Sequence, residues 1–164
     1  MEPPRRPRPL DRAAPEFAWE GFLDMLGEAL PLLRMNDAET GLDPLRYAFD
    51  PDLQAYSVMD ATGQLRILTA RVNGALIGYV ALVVTTLLHH RTVRKATVDT
   101  VWLHPSYRSG WTGVRMIQSA EREAARLGAD WIELQPQHNG VEMILKRLGY
   151  HPQARQTFTK ELRT

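Results

Sequence analysis

The sequence predicts a mixed α/β domain built on a mostly antiparallel sheet, and three observations carry that reading. From Leu65 the apolar spacing changes from helical to alternating, and Asn73-Gly74 supplies a strong hairpin signal. Residues 97–134 read as strand, glycine-bearing loop, helix and strand. The 164 residues contain no internal repeat and no linker that would split them, so at about 100–200 residues per domain they make one domain. The division is a mobile Pro/Arg-rich tail at 1–10 and a single domain at 11–164.

Taken in order, Phe17, Phe22, Met25, Leu26, Ala29 and Leu33 recur with helical spacing, which predicts a helix over Pro15 to Leu33. Arg34 to Gly41 is polar and turn-rich and reads as a loop. A short helix is expected around Pro44 to Phe49, and another after Pro51. Leu65 to Val72 alternates as a strand, and the partner after Asn73-Gly74 is the uncharged run Gly74 to Leu88, fifteen residues rich in Val, Leu, Ile and Thr. His89 to Arg94 reads as a turn and Lys95 to Leu103 as a third strand. After the loop His104 to Gly113, Val114, Ile117, Ala120, Ala124 and Leu127 mark a helix closed by Gly128. Asp130 to Leu134 is a strand, Asn139 to Leu148 a helix stopped by Gly149, and Thr157 to Leu162 a last strand.

Composition narrows the function. Cysteine is absent, which excludes a disulfide framework, a thiolate zinc site, an iron–sulfur cluster and a cysteine nucleophile. The formal net charge is +1, and residues 1–8 carry +2 of it, leaving −1 for the body. A near-neutral body argues against a dedicated nucleic-acid binder. The run at 74–88 is shorter than the roughly 20 residues a membrane helix needs, and the arginines at the start have no apolar stretch behind them. The reading is an intracellular, cytoplasmic protein.

The informative unit is the loop that opens a helix after Leu103. Small residues there present unpaired N–H groups and the positive end of a helix dipole, which suit a phosphate or pyrophosphate. Arg108 at the mouth adds a charge-assisted contact. The loop is neither a Walker loop nor G-x-G-x-x-G, and the strands before it are antiparallel, so NTPase and dinucleotide-dehydrogenase readings fall.

The element order, with Asp99-Thr-Val-Trp-Leu-His-Pro-Ser-Tyr-Arg-Ser-Gly-Trp-Thr-Gly113, resembles the GNAT N-acetyltransferase superfamily and its V-x-P-x-x-[QR]-x-x-G-x-[GA] pattern. Leu145-Lys-Arg-Leu-Gly-Tyr150 is similar to the family's K-x-x-G-[FY] helix ending. The resemblance spans about Leu65 to Leu162. It implies a twisted sheet splayed between two central strands, Thr97–Leu103 and Asp130–Leu134, with acetyl-coenzyme A as co-substrate in the opening and no metal. Backbone groups at Val101, Trp102 and Leu103 would pair with the pantetheine arm. Amides of Arg108, Ser109, Gly110, Trp111, Thr112 and Gly113 would hold the pyrophosphate. The Val101 N–H would polarise the thioester carbonyl, and the acceptor would be an amine on a small molecule or a protein.

Asp99 stands where the family places an acid. It is the base that removes the amine's proton, or it simply hydrogen-bonds Thr86, Thr97 or a neighbouring amide. Trp111 replaces a customary glycine, so its side chain must point away from the phosphates or the loop must take another path. The family's general-acid tyrosine aligns with Leu145, leaving Tyr150, His138 or solvent to protonate the thiolate. The pantetheine-contacting asparagine aligns with His138, and Asn139 reads as an N-cap or a ligand contact. Asp37 and Glu39 would border the acceptor site and attract a cationic amine, or be solvated loop residues.

His89 and His90 face opposite sides of a strand, and the other histidines are dispersed, so no metal site is expected. Many relatives dimerise through their last strands, so a homodimer is one expectation. The rival to an enzyme is a catalytically degenerate member that binds a protein partner, supported by Trp111, Leu145 and the basic tail. The compact form and histidine-bearing turn also resemble small acetyltransferase-like proteins of tailed bacteriophages.

Overall fold

A computed structural model describes residues 13–41, 43, 45–136, 139–153 and 160. Five strands form one sheet in sequence order: β1 (Glu16–Glu20), β2 (Leu65–Val72), β3 (Ala75–Leu87), β4 (His90–Leu103) and β5 (Trp131–Leu134). The first three pairings are antiparallel and β4–β5 is parallel. Helices α1 (Phe22–Thr40) and α2 (Leu53–Ala61) cover one face, and α3 (Thr112–Arg126) covers the other. Helix α4 (Asn139–Arg147) comes after β5. The predicted last strand at 157–162, apart from residue 160, and the tail at 1–10 lie outside the described residues.

The Asn73-Gly74 hairpin forms as expected. Both residues have positive φ, 51° and 81°, the geometry of a type I′ turn. Strands β2 and β3 are buried on both faces, which is why Gly74 to Leu88 reads as an unbroken apolar run. Leu68, Val80, Leu82, Val84, Ala96 and Val98 meet Met116 and Ala120 of α3, while Leu65, Ile67, Tyr79, Ala81 and Trp102 meet Phe22, Met25 and Ala29 of α1.

The N-terminal half departs from the sequence reading. Residues 16–20 are a strand, and the helix begins only at Phe22 and runs on to Thr40. Phe17 and Trp19 pack against the α3-side core from β1, an alternation that the helical recurrence of later residues masked. The polar stretch expected as a loop continues the helix because it borders a cleft rather than the core. Over 45–49 there is a single turn instead of a helix. Arg46 and Tyr47 N–H donate to Asp43 O, and Leu45 N–H donates to the Asp43 carboxylate. The helix after Pro51 is present, capped by Asp52, whose carboxylate accepts from Ala55 N–H. Strand β4 starts at His90 rather than Lys95, so the second turn is confined to Leu88 and His89.

Ion pairs tie these layers together. Arg71 of β2 donates to Glu20 of β1 at 2.8 and 2.9 Å and to Glu28 of α1 at 2.9 Å. Buried Glu123 of α3 accepts from Arg126 at 2.7 Å and Arg66 at 3.2 Å. Arginine hydrogen bonds, from Arg71 and from Arg126 respectively, hold the Glu20 and Glu123 carboxyls below their ordinary value. A carboxylate whose pKa folding depresses contributes stability above its unfolded value, about 4.3, and loses it as pH falls through the folded value. The melting temperature should therefore drop on acidification below about pH 4, and Glu20→Gln should flatten that drop. Melts from neutral to acid pH check this; parallel curves would show the Arg71 pair adds nothing to folding.

Candidate active site

The sheet opens where chemistry was expected. Pairing between β4 and β5 runs from Lys95↔Trp131 to Val98↔Leu134 and stops. Strand β5 ends there, with Pro136, which has no N–H, two residues on. Strand β4 continues from Asp99 to Leu103 paired with β3 only. One residue before the opening the β3–β4 register shifts, since Ala81 pairs Thr100 and Leu82 pairs Val98, leaving Asp99 as a bulge.

The bulge decides which way the N–H groups of the next four residues point. Arg94 O faces the β5 side, where it accepts from Asp130 N–H, whereas His104 N–H faces β3 and donates to Ile77 O at 2.8 Å. Because successive peptide groups point to opposite sides of a strand, Val101 and Leu103 direct their N–H groups into the space β5 vacates. Were Asp99 paired in a regular ladder instead of bulged out of it, they would be spent on β3. The Leu103 carbonyl is already taken by Arg108 Nε at 2.7 Å.

That space is a cleft of about 300 Å³. Val101, Trp102 and Leu103 form one wall, Val114 and Ile117 of α3 the floor, and Gly140, Val141 and Ile144 of α4 the opposite side. Asn36, Glu39 and Thr40 of α1 close the remaining edge, with Gln135 at the end of β5. At one end lie Arg108, Gly110 and Gly113. Gly110 has φ +95°, a conformation glycine adopts without strain. Helix α3 starts at Thr112 with no side-chain cap from Trp111, so its first N–H groups are left for a ligand or water. The Trp111 indole is 73% exposed and lies outside the cleft lining, so the bulky residue does not fill the opening. Ser109 lies in the loop before Gly110, and Thr112 is the first residue of α3.

Arg108 is more constrained than the sequence suggested. Its Nη2 donates to Glu39 at 2.6 and 2.9 Å, its Nε holds Leu103 O, and its guanidinium carbon stands 5.8 Å from the Trp102 ring centre. Glu39 was expected in a loop, aimed at a cationic acceptor; it lies instead in the last turn of α1 and pairs with Arg108 across the cleft. Asp37 shares that helix end, outside the lining, where its carbonyl accepts from Gly41 N–H.

On the α1 side of β4, Asp99 is exposed and accepts from Thr100 Oγ1 at 3.4 Å. No hydrogen bond joins it to Thr86, Thr97 or a neighbouring backbone amide, the partners expected from sequence, among the described residues. Burial first, and then the Asp99 charge, pushes the Tyr56 hydroxyl above its ordinary value. Tyr79 is pushed up more strongly by burial, with Tyr56 and Asp99 adding to it and Asn36 opposing. Tyr79 Oη and Trp102 Nε1 are buried and make no well-formed hydrogen bond among the described residues. Neither tyrosine was singled out in the sequence, where Tyr79 sits in the apolar run 74–88 like a core residue and Tyr56 in a mixed segment.

The sequence profile of the acetyltransferase (GNAT) family matches residues 30–150, most of the chain. The chain belongs to that family. Solved structures agree on the fold. A GCN5-related N-acetyltransferase from Ralstonia eutropha JMP134 aligns with TM-score 0.73 at 20% identity, covering 90% of this chain and 99% of that one. A predicted acetyltransferase with acetyl-CoA from Clostridium acetobutylicum aligns with TM-score 0.72 at 16% identity, covering 89% and 96%. A ribosomal-protein-alanine N-acetyltransferase from Brucella melitensis biovar Abortus 2308 aligns with TM-score 0.67 at 18% identity, covering 91% and 99%. No curated protein matched the sequence.

In this GNAT protein the late-helix motif residues lie away from the cleft. Leu145 is buried, and with Tyr150 it lines a second cavity of about 480 Å³ beyond α4, not the cleft at Val101. Burial raises the Tyr150 hydroxyl, and nearby Glu121 raises it further. Its proposed role as proton donor is not supported by this placement. His138 and the Asn139 side chain lie outside the described residues. Among the described residues no group of His, Asp and Glu gathers for a metal, and no helix is long and apolar enough to cross a membrane.

Proposed function

We propose that this GNAT protein transfers an acetyl group from acetyl-coenzyme A to an amine acceptor by direct attack in a ternary complex. One observation carries the reading: the β4–β5 opening presents the Val101 and Leu103 N–H groups along a cleft that ends at the uncapped start of α3. The coenzyme supplies an activated thioester. An extended pantetheine arm suits the vacated strand edge, with Val101 groups and Leu103 N–H as partners and Trp102 in the wall. The pyrophosphate suits the N–H groups from Ser109 to Gly113. Val101 N–H is the donor placed for the carbonyl oxygen, where charge develops in acyl transfer; removing one such donor costs about 3–4 kcal/mol in a well-studied case. Asp99 is the base toward the acceptor, which enters from the side of Asn36, Glu39, Tyr56 and Tyr79. The Clostridium structure with acetyl-CoA supports the choice of coenzyme.

A second reading, a degenerate member that binds a partner without turnover, draws support from Leu145 and Tyr150 lying outside the cleft. Thermal melts separate the two from non-binding. Acetyl-coenzyme A at 100 times its Kd should stabilise the protein by about 2.7 kcal/mol, a shift of several degrees; desulfo-coenzyme A should reproduce it, and ATP should not. A coenzyme-specific shift followed by amine-dependent thiol release establishes the transferase. A shift without turnover on any amine selects the binding module, and no shift removes both coenzyme-based readings.

A further inference from the structure

We propose that Trp111 and Arg115 form a platform at the mouth of the cleft for the 3′-phosphoadenosine end of coenzyme A. The adenine would stack on the indole and the 3′-phosphate would meet the guanidinium. The inference rests on the coenzyme reading above and adds which side chains grip the nucleotide.

Tryptophan is seldom left in water without a use, because its ring carries a large apolar area. The described tryptophans show the contrast. Trp102 is 3% exposed, and Trp131, partly exposed, donates its Nε1 to Glu133 at 2.9 Å. Trp111 is 73% exposed, and its indole makes no ring contact, cation contact or hydrogen bond with any described residue. Packing does not explain it. Its place does: Gly110 and Gly113 on either side line the cleft, so the indole stands where a ligand leaving the loop enters solvent.

Arg115 is one turn further along the same helix face, its N–H donating to Trp111 O at 2.9 Å. It is exposed and pairs with no carboxylate among the described residues, whereas Arg66, Arg71, Arg108 and Arg126 each meet one. A ring face one helical turn from a guanidinium with no carboxylate partner among the described residues matches a purine next to a phosphate. Base–aromatic stacking accepts any flat base, and arginine binds phosphate in a forked geometry. Beyond its pyrophosphate, coenzyme A carries adenine and a ribose 3′-phosphate, and dephospho-coenzyme A lacks only the latter.

Titration calorimetry with coenzyme A, dephospho-coenzyme A and 4′-phosphopantetheine tests the pair. Trp111→Ala should weaken both nucleotide-bearing ligands about tenfold, about 1.4 kcal/mol, with Trp111→Phe recovering most of it. Binding of 4′-phosphopantetheine should not change. Arg115→Met should weaken coenzyme A several-fold and leave dephospho-coenzyme A as in the wild type. Wild-type affinity in Trp111→Ala, or equal losses for both ligands in Arg115→Met, would overturn the platform while leaving the acetyltransferase reading in place. A wild-type protein that binds none of the three ligands would overturn both. Both side chains are exposed, so unchanged melts without ligand should confirm that the variants fold.

Discussion

Replacing Gly78 with valine should cost the fold about 3 kcal/mol, the upper part of the range for overpacking, and should cripple coenzyme binding with it. A Cβ at Gly78 would stand 2.8 Å from Trp102 O and 3.2 Å from Leu103 Cα. Those are backbone atoms, which cannot swing away as a flexible side chain would, so β3 and β4 must part. They would part at the Gly78↔Leu103 pairing, beside the two residues whose N–H groups face the cleft. The melting temperature should fall by roughly 2–4 °C per kcal/mol for a chain of this size. Gly27→Ala is the control. Gly27 lies in α1 with nothing within 4 Å of its would-be Cβ, and the change should raise stability by about 0.5–1 kcal/mol. If both glycine variants melt alike, the close approach at Gly78 has no energetic weight.

The same two strands show what the sequence could and could not disclose. The β2–β3 hairpin was legible because Asn73-Gly74 dictates the backbone by itself, and α3 was legible because its apolar residues keep one period to Gly128. Strand β1 was not. Five residues give only Phe17 and Trp19 as an alternating signal, and Phe22 and Met25 extend that pair into an apparent helix. Helix α1 outran its apolar pattern for a related reason. Its last turn is polar because it borders the cleft, and propensity reasoning reads a polar turn-rich segment as a loop.

Residues of the site divide along the same line. The loop from Arg108 to Gly113 follows from local pattern, since small residues before a helix are contiguous in sequence, whereas the Val101 edge comes only with the family resemblance. The Glu39–Arg108 pair joins residues 69 apart, and no local rule predicts which carboxylate an arginine will choose. Single-residue insertions are equally silent. Nothing in Thr97 to Leu103 announces that Asp99 is the extra residue, yet this one offset decides whether Val101 or Trp102 faces the opening. The late helix shows the limit of motif alignment, because Leu145 and Tyr150 fall in register with a pattern while lining a different cavity.

Asp99→Asn should lower kcat/KM for the amine about a hundredfold at neutral pH, the lower end of the range for general acid–base catalysis, while leaving coenzyme affinity unchanged. An aliphatic amine with pKa near 10 arrives as an ammonium, which has no lone pair for attack. The bulge leaves Asp99 exposed, its only side-chain partner among the described residues Thr100 Oγ1 at 3.4 Å, so its carboxylate is open to an acceptor directly or through water. Its charge raises the Tyr56 and Tyr79 hydroxyls, which puts it near those two side chains, on the side proposed above for the acceptor. The pH profile separates this role from simple attraction of a cation. As pH rises toward 10 the acceptor loses its own proton, so the gap between wild type and Asp99→Asn should close if the carboxylate serves as base. If Asp99 only attracts the ammonium, the variant should raise KM for the amine, leave kcat alone, and show no such convergence. Full activity at every pH would leave Asp99 as the residue that shifts the strand register and nothing more, with deprotonation left to solvent.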